Sequence, residues 1–235
     1  MNDVIDFETY LIISHKKFEI HLLDIKNFKN LYKREFDYET DLEKIDLNLL
    51  SEFLEKNIFR IEKIAGNFVN HINVIIENNS NLNFNLSVKK KNYSGNITNT
   101  ILEKILSDVK DLFQESYNHH KLVHMAINKY IIKGISYSSL LDNINSDEIV
   151  LEIKLISISK LIIYEIESNL KKYQIQVNNY LDKGYVNNYF KEEEELDISL
   201  KAHKLLNGLN INEVRITSKS SEKLGFFEKF FQLFS

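Results

Sequence analysis

Histidines and carboxylates are the residues that could carry chemistry in this chain, because its 235 residues include no cysteine. The histidine cluster consists of His119, His120 and His124. His120 and His124 would share one face of a helix, as metal ligands four residues apart often do, but the apolar run at residues 122–132 fits a strand better. A strand places both histidines on one side with Leu122 and leaves no third ligand in view. We therefore expect no metal site.

Acid–base and nucleophilic sites are also unsupported by the spacing of the residues. Asp142, Asp147 and Glu148 lie in a predicted loop, but a catalytic carboxylate pair must be held in a defined geometry. Such scatter is ordinary in a chain with 34 acidic residues. Ser14 and His15 form a turn dipeptide without an orienting acid nearby. We therefore predict no catalytic residues and a protein that is not an enzyme.

Composition also argues against bound nucleotides, cofactors and nucleic acid. Phosphate-binding loops need clustered glycines, whereas the six glycines of this chain lie far apart, so no cofactor is predicted. A net charge of -4 and a pI of about 6.0 oppose nucleic-acid binding, which needs a basic excess on one face. Lys89, Lys90 and Lys91 form a short basic cluster. Its position between an apolar run and a turn signal indicates a solvated strand end.

Short apolar or alternating runs predict the strands that would position these side chains. They cover residues 10–13 and 18–23, joined as a hairpin, and then 31–36, 72–76, 82–88, 122–132, 149–158 and 175–177. The run at 82–88 alternates, which predicts one buried and one solvent-exposed face. Beyond residue 180 the pattern weakens to a short helix at 200–206 and a strand at 213–216.

Three amphipathic helices are predicted between the strands. Asp46 is suited to cap the first helix and Gly66 to follow its last turn. Thr98 caps the second helix, and Ser157 or Ser159 opens the third. The apolar residues expected to face the core are Leu47, Leu50, Phe53, Leu54, Ile58, Ile61 and Ile64 in the first helix, Ile101, Leu102, Ile105, Leu106, Val109, Leu112 and Phe113 in the second, and Leu161, Ile162, Ile166 and Leu170 in the third.

Runs of two or three strands between helices predict an α+β fold, with mixed or antiparallel sheets and helices packed on them, and not a doubly wound parallel sheet. We divide the chain into an N-terminal hairpin and strand region at 1–45, an α+β domain at 46–180, an acidic and polar linker with short elements at 181–223, and a C-terminal helix at 224–235. The four glutamates at 192–195 are placed in the linker as a solvated segment or helix start.

The C-terminal helix differs in kind from the rest of the chain. At about 100° per residue its large apolar side chains fall within one half of the helical wheel, after a polar tether at 217–223. These residues are Leu224, Phe226, Phe227, Phe230, Phe231, Leu233 and Phe234. Such a helix can lie in a membrane interface, or it can dock in a hydrophobic groove of a partner or of the protein itself. We favour the membrane and keep the groove as the alternative.

Residues 122–132 carry the clearest resemblance to a known family. They resemble the pattern Val-Leu-His-x-Ile-Pro-x-x-Tyr-x-Ile-Asp of the bacterial actin-like cell-division protein FtsA, with His124 and Tyr130 at the family spacing and Ile127 and Lys133 in place of its proline and final aspartate. The order of elements over 46–177 is similar to part of that family's first actin-like subdomain and its inserted strand–helix–strand–strand subdomain. The resemblance therefore implies a partial actin-like core. A polar tether and a membrane-binding amphipathic helix also belong to this family.

Two departures from the family bear on activity. Its first phosphate loop is similar to Asp-x-Gly-x-x-Lys, and here Ile12 and Ser14 replace the acid and the glycine while Lys17 is kept. Its second phosphate loop has no counterpart, and about half of a full-length family member is missing after residue 180, including the part that docks onto the tubulin-like ring protein FtsZ. The resemblance thus implies neither ATP binding nor direct binding to FtsZ.

Together these features predict a non-enzymatic, FtsA-like cell-division protein that acts as a membrane-tethered interaction module. Its partners would be division-apparatus proteins and the lipid surface of the inner membrane, and self-association is left open. We expect it in the cytoplasm, on the inner face of the cell membrane, because the sequence shows no signal-peptide pattern and no apolar stretch close to 18 residues. The alternative is a soluble partner-binding or assembly protein whose C-terminal aromatic stripe docks in a hydrophobic groove.

Overall fold

The computed structural model describes residues 6–38, 45–92, 96–140 and 145–214. Its strands are β1 (Phe7–Ile13), β2 (Lys17–Asp24), β3 (Lys29–Asp37), β4 (His71–Ile76), β5 (Leu82–Lys91), β6 (His120–Ile132), β7 (Ile135–Tyr137), β8 (Glu148–Ser159) and β9 (Gln176–Asp182). Its helices are α1 (Leu47–Ala65), α2 (Asn99–Ser116), α3 (Lys160–Lys171), α4 (Lys183–Tyr189) and α5 (Ile198–Leu206). This mixed architecture confirms the predicted α+β fold class. The helix predicted at 224–235 lies outside the described residues.

The first sheet has five strands in the spatial order β3-β2-β1-β4-β9. β1 pairs antiparallel with β2, as predicted for the hairpin, and β2 pairs antiparallel with β3. β4 runs parallel to β1, and β9 runs parallel to β4. Parallel neighbours need a crossover connection. α1 provides it for β4, and the segment that ends in α3 provides it for β9.

The strand β2 shows how this sheet is covered on both faces. Its successive side chains point to opposite sides. The ring of Phe18 lies 6.0 Å from that of Phe53 on α1, whereas His21 Nδ1 lies 3.1 Å from the Ser199 hydroxyl of α5. Seven of the eight residues of β2 are buried. A strand covered on both faces is apolar on both faces, which explains the unbroken apolar run at 11–13 of β1.

The helix α1 begins and ends where the sequence predicts. Asp46 Oδ1 accepts hydrogen bonds from the backbone N–H groups of Asn48 and Leu49, at 2.9 and 3.1 Å. Gly66 follows the last turn with a φ of 71°, a left-handed conformation that glycine adopts without strain.

Three residues that were predicted to face the core are exposed instead. Ile64 lies in the last turn of α1, beyond the last buried residue, Ile61. In α2 the buried face ends at Phe113, and Leu112, one residue before it, is 61% exposed. In α3 the buried face is formed by Ile163, Ile166, Asn169 and Leu170. Leu161 is therefore rotated by about 200° from Ile163 around the helix and is 65% exposed.

The residues from β5 to β8 are inserted between β4 and α3 and form a second sheet in the order β5-β8-β6-β7. β5 pairs antiparallel with β8 over its whole length. One face of this sheet packs against α2, in a core that includes Ile105 and Phe113 of the helix and the alternate residues Leu151, Ile153 and Leu155 of β8. The predicted alternation at 82–88 is confirmed, because half-buried and exposed residues alternate along β5.

The described residues form two compact units, one from those within 6–81 and 158–209 and the other from those within 82–157 and 210–214. The first unit is discontinuous because β4 and β9 pair side by side in its sheet although the whole insertion lies between them in the sequence. Residues 46–180 therefore contribute to both units. The segment at 181–223 contains α4 and α5, and α5 contacts β2.

Candidate partner-binding groove

The histidine cluster lies at the start of β6 in the insertion. His124 is buried, and its Nδ1 lies 2.6 Å from Glu213 Oε1. His120 Nδ1 lies 3.3 Å from the Ser157 hydroxyl, and burial, with a smaller effect of neighbouring His119, lowers the pKa of His120. Within the described ranges, no three His, Asp or Glu side chains are placed to hold a metal ion. The contact between His124 and Glu213 instead joins two segments of the second unit.

The other candidate catalytic groups are not brought together in the part of the chain that the structure describes. Asp147 is exposed, and Glu148 Oε2 lies 2.7 Å from Lys89 Nζ. Asp142 lies outside the described residues. Ser14 occupies the turn between β1 and β2, where its hydroxyl hydrogen-bonds the backbone of Lys17. These contacts stabilise turns and strand ends.

Lys17 is the residue that the resemblance to the FtsA family retains from a phosphate loop. Its Nζ lies 2.5 Å from Glu35 Oε2 and 3.8 Å from Glu19 Oε1. The hydrogen bond to Glu35 raises the pKa of Lys17. The ammonium group is thus paired with carboxylates of its own strand and of the neighbouring strand.

A groove of about 540 Å³ lies at the carboxyl end of β4. α1 and α3 each run back along the sheet before β4 and β9 begin, so the N-termini of both helices lie at this end, where parallel sheets commonly bind ligands. The lining residues are Ile45, Leu47, Asn78, Asn79, Ser80, Ser159, Leu161, Ile162 and Glu165. We call this site the α1–α3 groove.

Three polar side chains fix the backbone around the α1–α3 groove. Asp46 caps α1 between the lining residues Ile45 and Leu47. Asn78 Oδ1 accepts hydrogen bonds from the backbone N–H and the hydroxyl of Ser80, both at 2.8 Å. Ser159 Oγ accepts a hydrogen bond from the Leu161 N–H at 3.3 Å, which caps α3. Each cap satisfies a helix-end or turn donor, so the groove wall is held by local sequence.

The lining of the α1–α3 groove combines apolar and polar side chains. Its apolar wall comes from both helices, with Leu161 as its most exposed apolar residue at 65%. Amides and hydroxyls line the loop after β4, and Glu165 is the one charged residue in the lining. A volume in the range of roughly 300–1,000 Å³ suits a small ligand or a few side chains of a protein. Exposed apolar groups beside such a cavity commonly mark an interaction site.

Sequence reasoning missed this groove because it assigned Leu161 to the core. It also gave no role to Phe59 and Phe68, which are largely exposed and line a second groove of about 400 Å³ together with Tyr173 and Gln174. The signal for Phe59 was present, since this aromatic residue falls outside the predicted apolar stripe of its helix. The second groove lies at the amino ends of β4 and β9, away from the usual ligand end of parallel strands. We therefore place the α1–α3 groove first.

The residues predicted to bind a membrane or a partner lie outside the described residues. They are Leu224, Phe226, Phe227, Phe230, Phe231, Leu233 and Phe234. Across the described ranges, no helix combines the length and the apolar character needed to cross a bilayer.

The fold of this chain is similar to that of known structures, although its sequence matches no known family. No protein-family model matches the sequence, and no curated protein does. The structure is similar to a solved "PilM-PilN type IV pilus biogenesis complex", with a TM-score of 0.51 and 8% identity over 79% of this chain and 50% of that one. The fold is actin-like. This similarity shows the fold alone, and the chain spans about half the length of the structure it matches.

Two further solved structures match with lower TM-scores. One is the cytoplasmic domain of EpsL, an inner-membrane component of the type II secretion system of Vibrio cholerae, with a TM-score of 0.37 and 11% identity over 77% of this chain and 57% of that one. The other is a Bacteroides thetaiotaomicron protein described as having an actin-like ATPase fold, with a TM-score of 0.34 and 13% identity over 82% and 60%. The match with a TM-score of 0.51 supports the actin-like part of the predicted resemblance and does not single out the FtsA family.

Proposed function

We propose that this chain is a non-enzymatic interaction module that binds a segment of another protein in the α1–α3 groove. The observation that carries the proposal is the position of Leu161. This residue is 65% exposed and lies beside Ile162 at the start of α3, in the wall of the groove. A leucine side chain gains about 1.5–3 kcal/mol when it is fully buried, so a partner that covers Leu161 gains most of that free energy.

The binding mode follows from what lines the groove. Apolar side chains of the partner fill the space between Leu47 and Leu161. The NH₂ group of Asn78 offers donors, and the amide of Asn79 offers donors and an acceptor, to the backbone of the bound segment. The carboxylate of Glu165 favours a basic residue at one end of it. The preferred partner is therefore a short segment with two or three apolar side chains and a Lys or Arg.

We propose that this interaction belongs to an assembly of the bacterial envelope. The matched structure with a TM-score above 0.5 is itself a complex, of PilM with PilN in type IV pilus biogenesis, which supports a protein partner in an assembly of the bacterial envelope. The resemblance to FtsA supports cell division as that assembly. We further propose that the seven apolar residues of the C-terminal helix hold the chain on the inner face of the cell membrane. If the helix instead docks in a groove, the protein is a soluble assembly factor.

Site-specific photocrosslinking in cells tests the groove. A photoreactive phenylalanine analogue is placed at Leu161 in one variant and at Leu112 in a matched control. Leu112 is 61% exposed, close to the exposure of Leu161, but it lies on α2 in the other unit. The two positions are therefore similarly accessible but have different neighbouring residues. We expect a defined crosslinked protein from position 161 that is absent from position 112. Identical products from both positions, or no product from position 161, would contradict the proposal.

A further inference from the structure

The strand β5 leaves one long edge of the second sheet open. It pairs with β8 on one side, in unbroken register from Leu82 opposite Ser157 to Lys91 opposite Glu148. On its other side no strand pairs with it among the described residues. β5 has ten residues, against a usual strand length of about 5–6. Every second residue of such an edge directs its N–H and C=O groups away from the sheet.

The other sheet edges in the described ranges carry the features that oppose edge-to-edge pairing. Natural edges are short, charged or interrupted by bulges. β7 has three residues, and beyond it the far side of β6 hydrogen-bonds to residues 212–214. β3 carries charged side chains along its length, and its pairing with β2 shifts beside Leu22. The pairing of β9 with β4 shifts beside Ile72.

β5 lacks these features over most of its length. Residues 82–88 contain no charged residue, glycine or proline, and their register shows no bulge. The charges are confined to the last three residues, Lys89, Lys90 and Lys91. Two of these lysines already pair with carboxylates, since Lys89 Nζ lies 2.7 Å from Glu148 Oε2 and Lys90 Nζ lies 3.4 Å from Asp108 Oδ2. The edge is therefore neutral and regular where a second strand would bind, and it does not select an acidic partner.

We propose that two copies of this chain pair antiparallel through β5, so that their two four-stranded sheets become one continuous sheet. Residues directly opposite in an antiparallel pair share a face. Pairing centred on Leu86 then places Phe84 opposite Val88 of the second copy, and the half-buried apolar face continues across the junction. On the other face Asn85 lies opposite Ser87.

The lysines explain why the second copy is antiparallel. Centred on Leu86, each Lys89 lies opposite an Asn83 and each Lys90 opposite a Leu82, so no like charges face each other. A parallel pair in the same register would place the three lysines of one copy beside the three of the other, and like charges directly opposite destabilise a pair. A strand whose charges all lie at one end can therefore pair with a second copy of itself without charge repulsion only when the two strands are antiparallel.

This inference does not depend on the proposed function, because β5 belongs to one unit and the α1–α3 groove to the other. If both hold, a dimer presents two grooves to an assembly and gains avidity for any partner that is also multivalent.

Charge substitution at two facing positions tests the pairing in the full-length protein, with the dimer dissociation constant measured by analytical ultracentrifugation. Asn85→Lys with Ser87→Lys puts Lys opposite Lys twice in the dimer, and we expect about tenfold weaker dimerisation. Asn85→Glu with Ser87→Lys puts opposite charges there, and we expect dimerisation at least as tight as in the unmodified chain.

A third variant separates pairing from folding. Within one copy Asn85 lies opposite Lys154 and Ser87 opposite Glu152, so Asn85→Lys with Ser87→Glu is unfavourable in the monomer and favourable in the dimer. We expect it to melt earlier than the unmodified chain when dilute and yet to dimerise like the Glu–Lys variant. A protein that is monomeric at every concentration would overturn the proposal. So would a dimer whose dissociation constant is the same in all three variants as in the unmodified chain.

Discussion

The cap of α1 gives a prediction whose size can be worked out from two hydrogen bonds. Asp46 accepts from two first-turn N–H groups, and such a cap contributes about 0.5–2 kcal/mol, with about 0.3–1 kcal/mol more from a negative charge at a helix N-terminus. Asp46→Ala should therefore destabilise α1 by roughly 1–2 kcal/mol. Asp46→Asn keeps an acceptor and loses only the charge, so it should cost about 0.5 kcal/mol.

The chain offers a matched control in α2. Thr98 occupies the same cap position there, but its side chain makes no cap hydrogen bond, so Thr98→Ala should change stability by no more than about 0.5 kcal/mol. Native-state hydrogen exchange measures the effect where it acts. In Asp46→Ala the amides of Asn48 and Leu49 should exchange roughly 5 to 30 times faster, since 1.4 kcal/mol is a factor of about ten.

Two results would refute this reasoning about α1. One is an equal loss of stability in Asp46→Ala and Thr98→Ala. The other is unchanged exchange at Asn48 and Leu49 in Asp46→Ala. Because Ile45 and Leu47 flank the cap and line the α1–α3 groove, a confirmed effect would also indicate that Asp46 holds the α1 side of the groove wall.

Two further predictions concern acid stability and the C-terminal helix. His21 Nε2 lies 3.5 Å from Glu19 Oε2, and this contact, aided by Lys17, lowers the pKa of Glu19 below its ordinary 4.5. The stabilisation by the Glu19 carboxylate is thus present above that pH and lost as pH falls through the folded-state pKa. Urea midpoints should therefore drop less steeply below about pH 4.5 in Glu19→Gln than in the unmodified chain, and equal slopes would contradict this. In liposome co-sedimentation the full chain should pellet, whereas a chain ending at Lys223 and a Phe227→Asp, Phe231→Asp variant should not; if all three stay in the supernatant, the membrane proposal fails.

Helix ends and the hairpin could be predicted because their signals are local. Asp46 caps α1 through donors two and three residues away, and Gly66 ends it through its own backbone conformation. The hairpin of β1 and β2 joins neighbouring runs across a short turn. In each case the groups that interact lie within a few residues of one another or are brought together by a single turn, so the amino-acid sequence contains the whole interaction.

The rotation of a helix about its axis could not be predicted in the same way. In α3 the apolar residues Leu161, Ile162, Ile163 and Ile166 cover a wide arc, and two different stripes fit the same periodicity. Packing against the sheet selects the stripe that includes Ile163 and Ile166, which leaves Leu161 exposed. The candidate groove was missed for this reason, because the residue that marks it looked like part of the core.

The order of the strands in the sheet also could not be predicted from hydrophobic periodicity. β4 lies between β1 and β9 in the sheet, and neither partner is its neighbour in the sequence. An apolar run such as that of β4 fits any interior position of a sheet. The insertion of residues 82–157 between β4 and α3 therefore could not be separated from the surrounding unit by pattern alone, and the predicted boundaries at 45 and 180 fall within one compact unit.

The central claim is that the α1–α3 groove binds a segment of a partner protein, and the affinity of the crosslinked partner tests it most directly. Fluorescence anisotropy would compare the unmodified chain, Leu161→Asp and the similarly exposed control Leu112→Asp. Covering the exposed part of Leu161 is worth about 1–2 kcal/mol, so we predict that Leu161→Asp binds about tenfold more weakly or worse, while Leu112→Asp binds like the unmodified chain. Unchanged affinity in a folded Leu161→Asp variant would contradict the account.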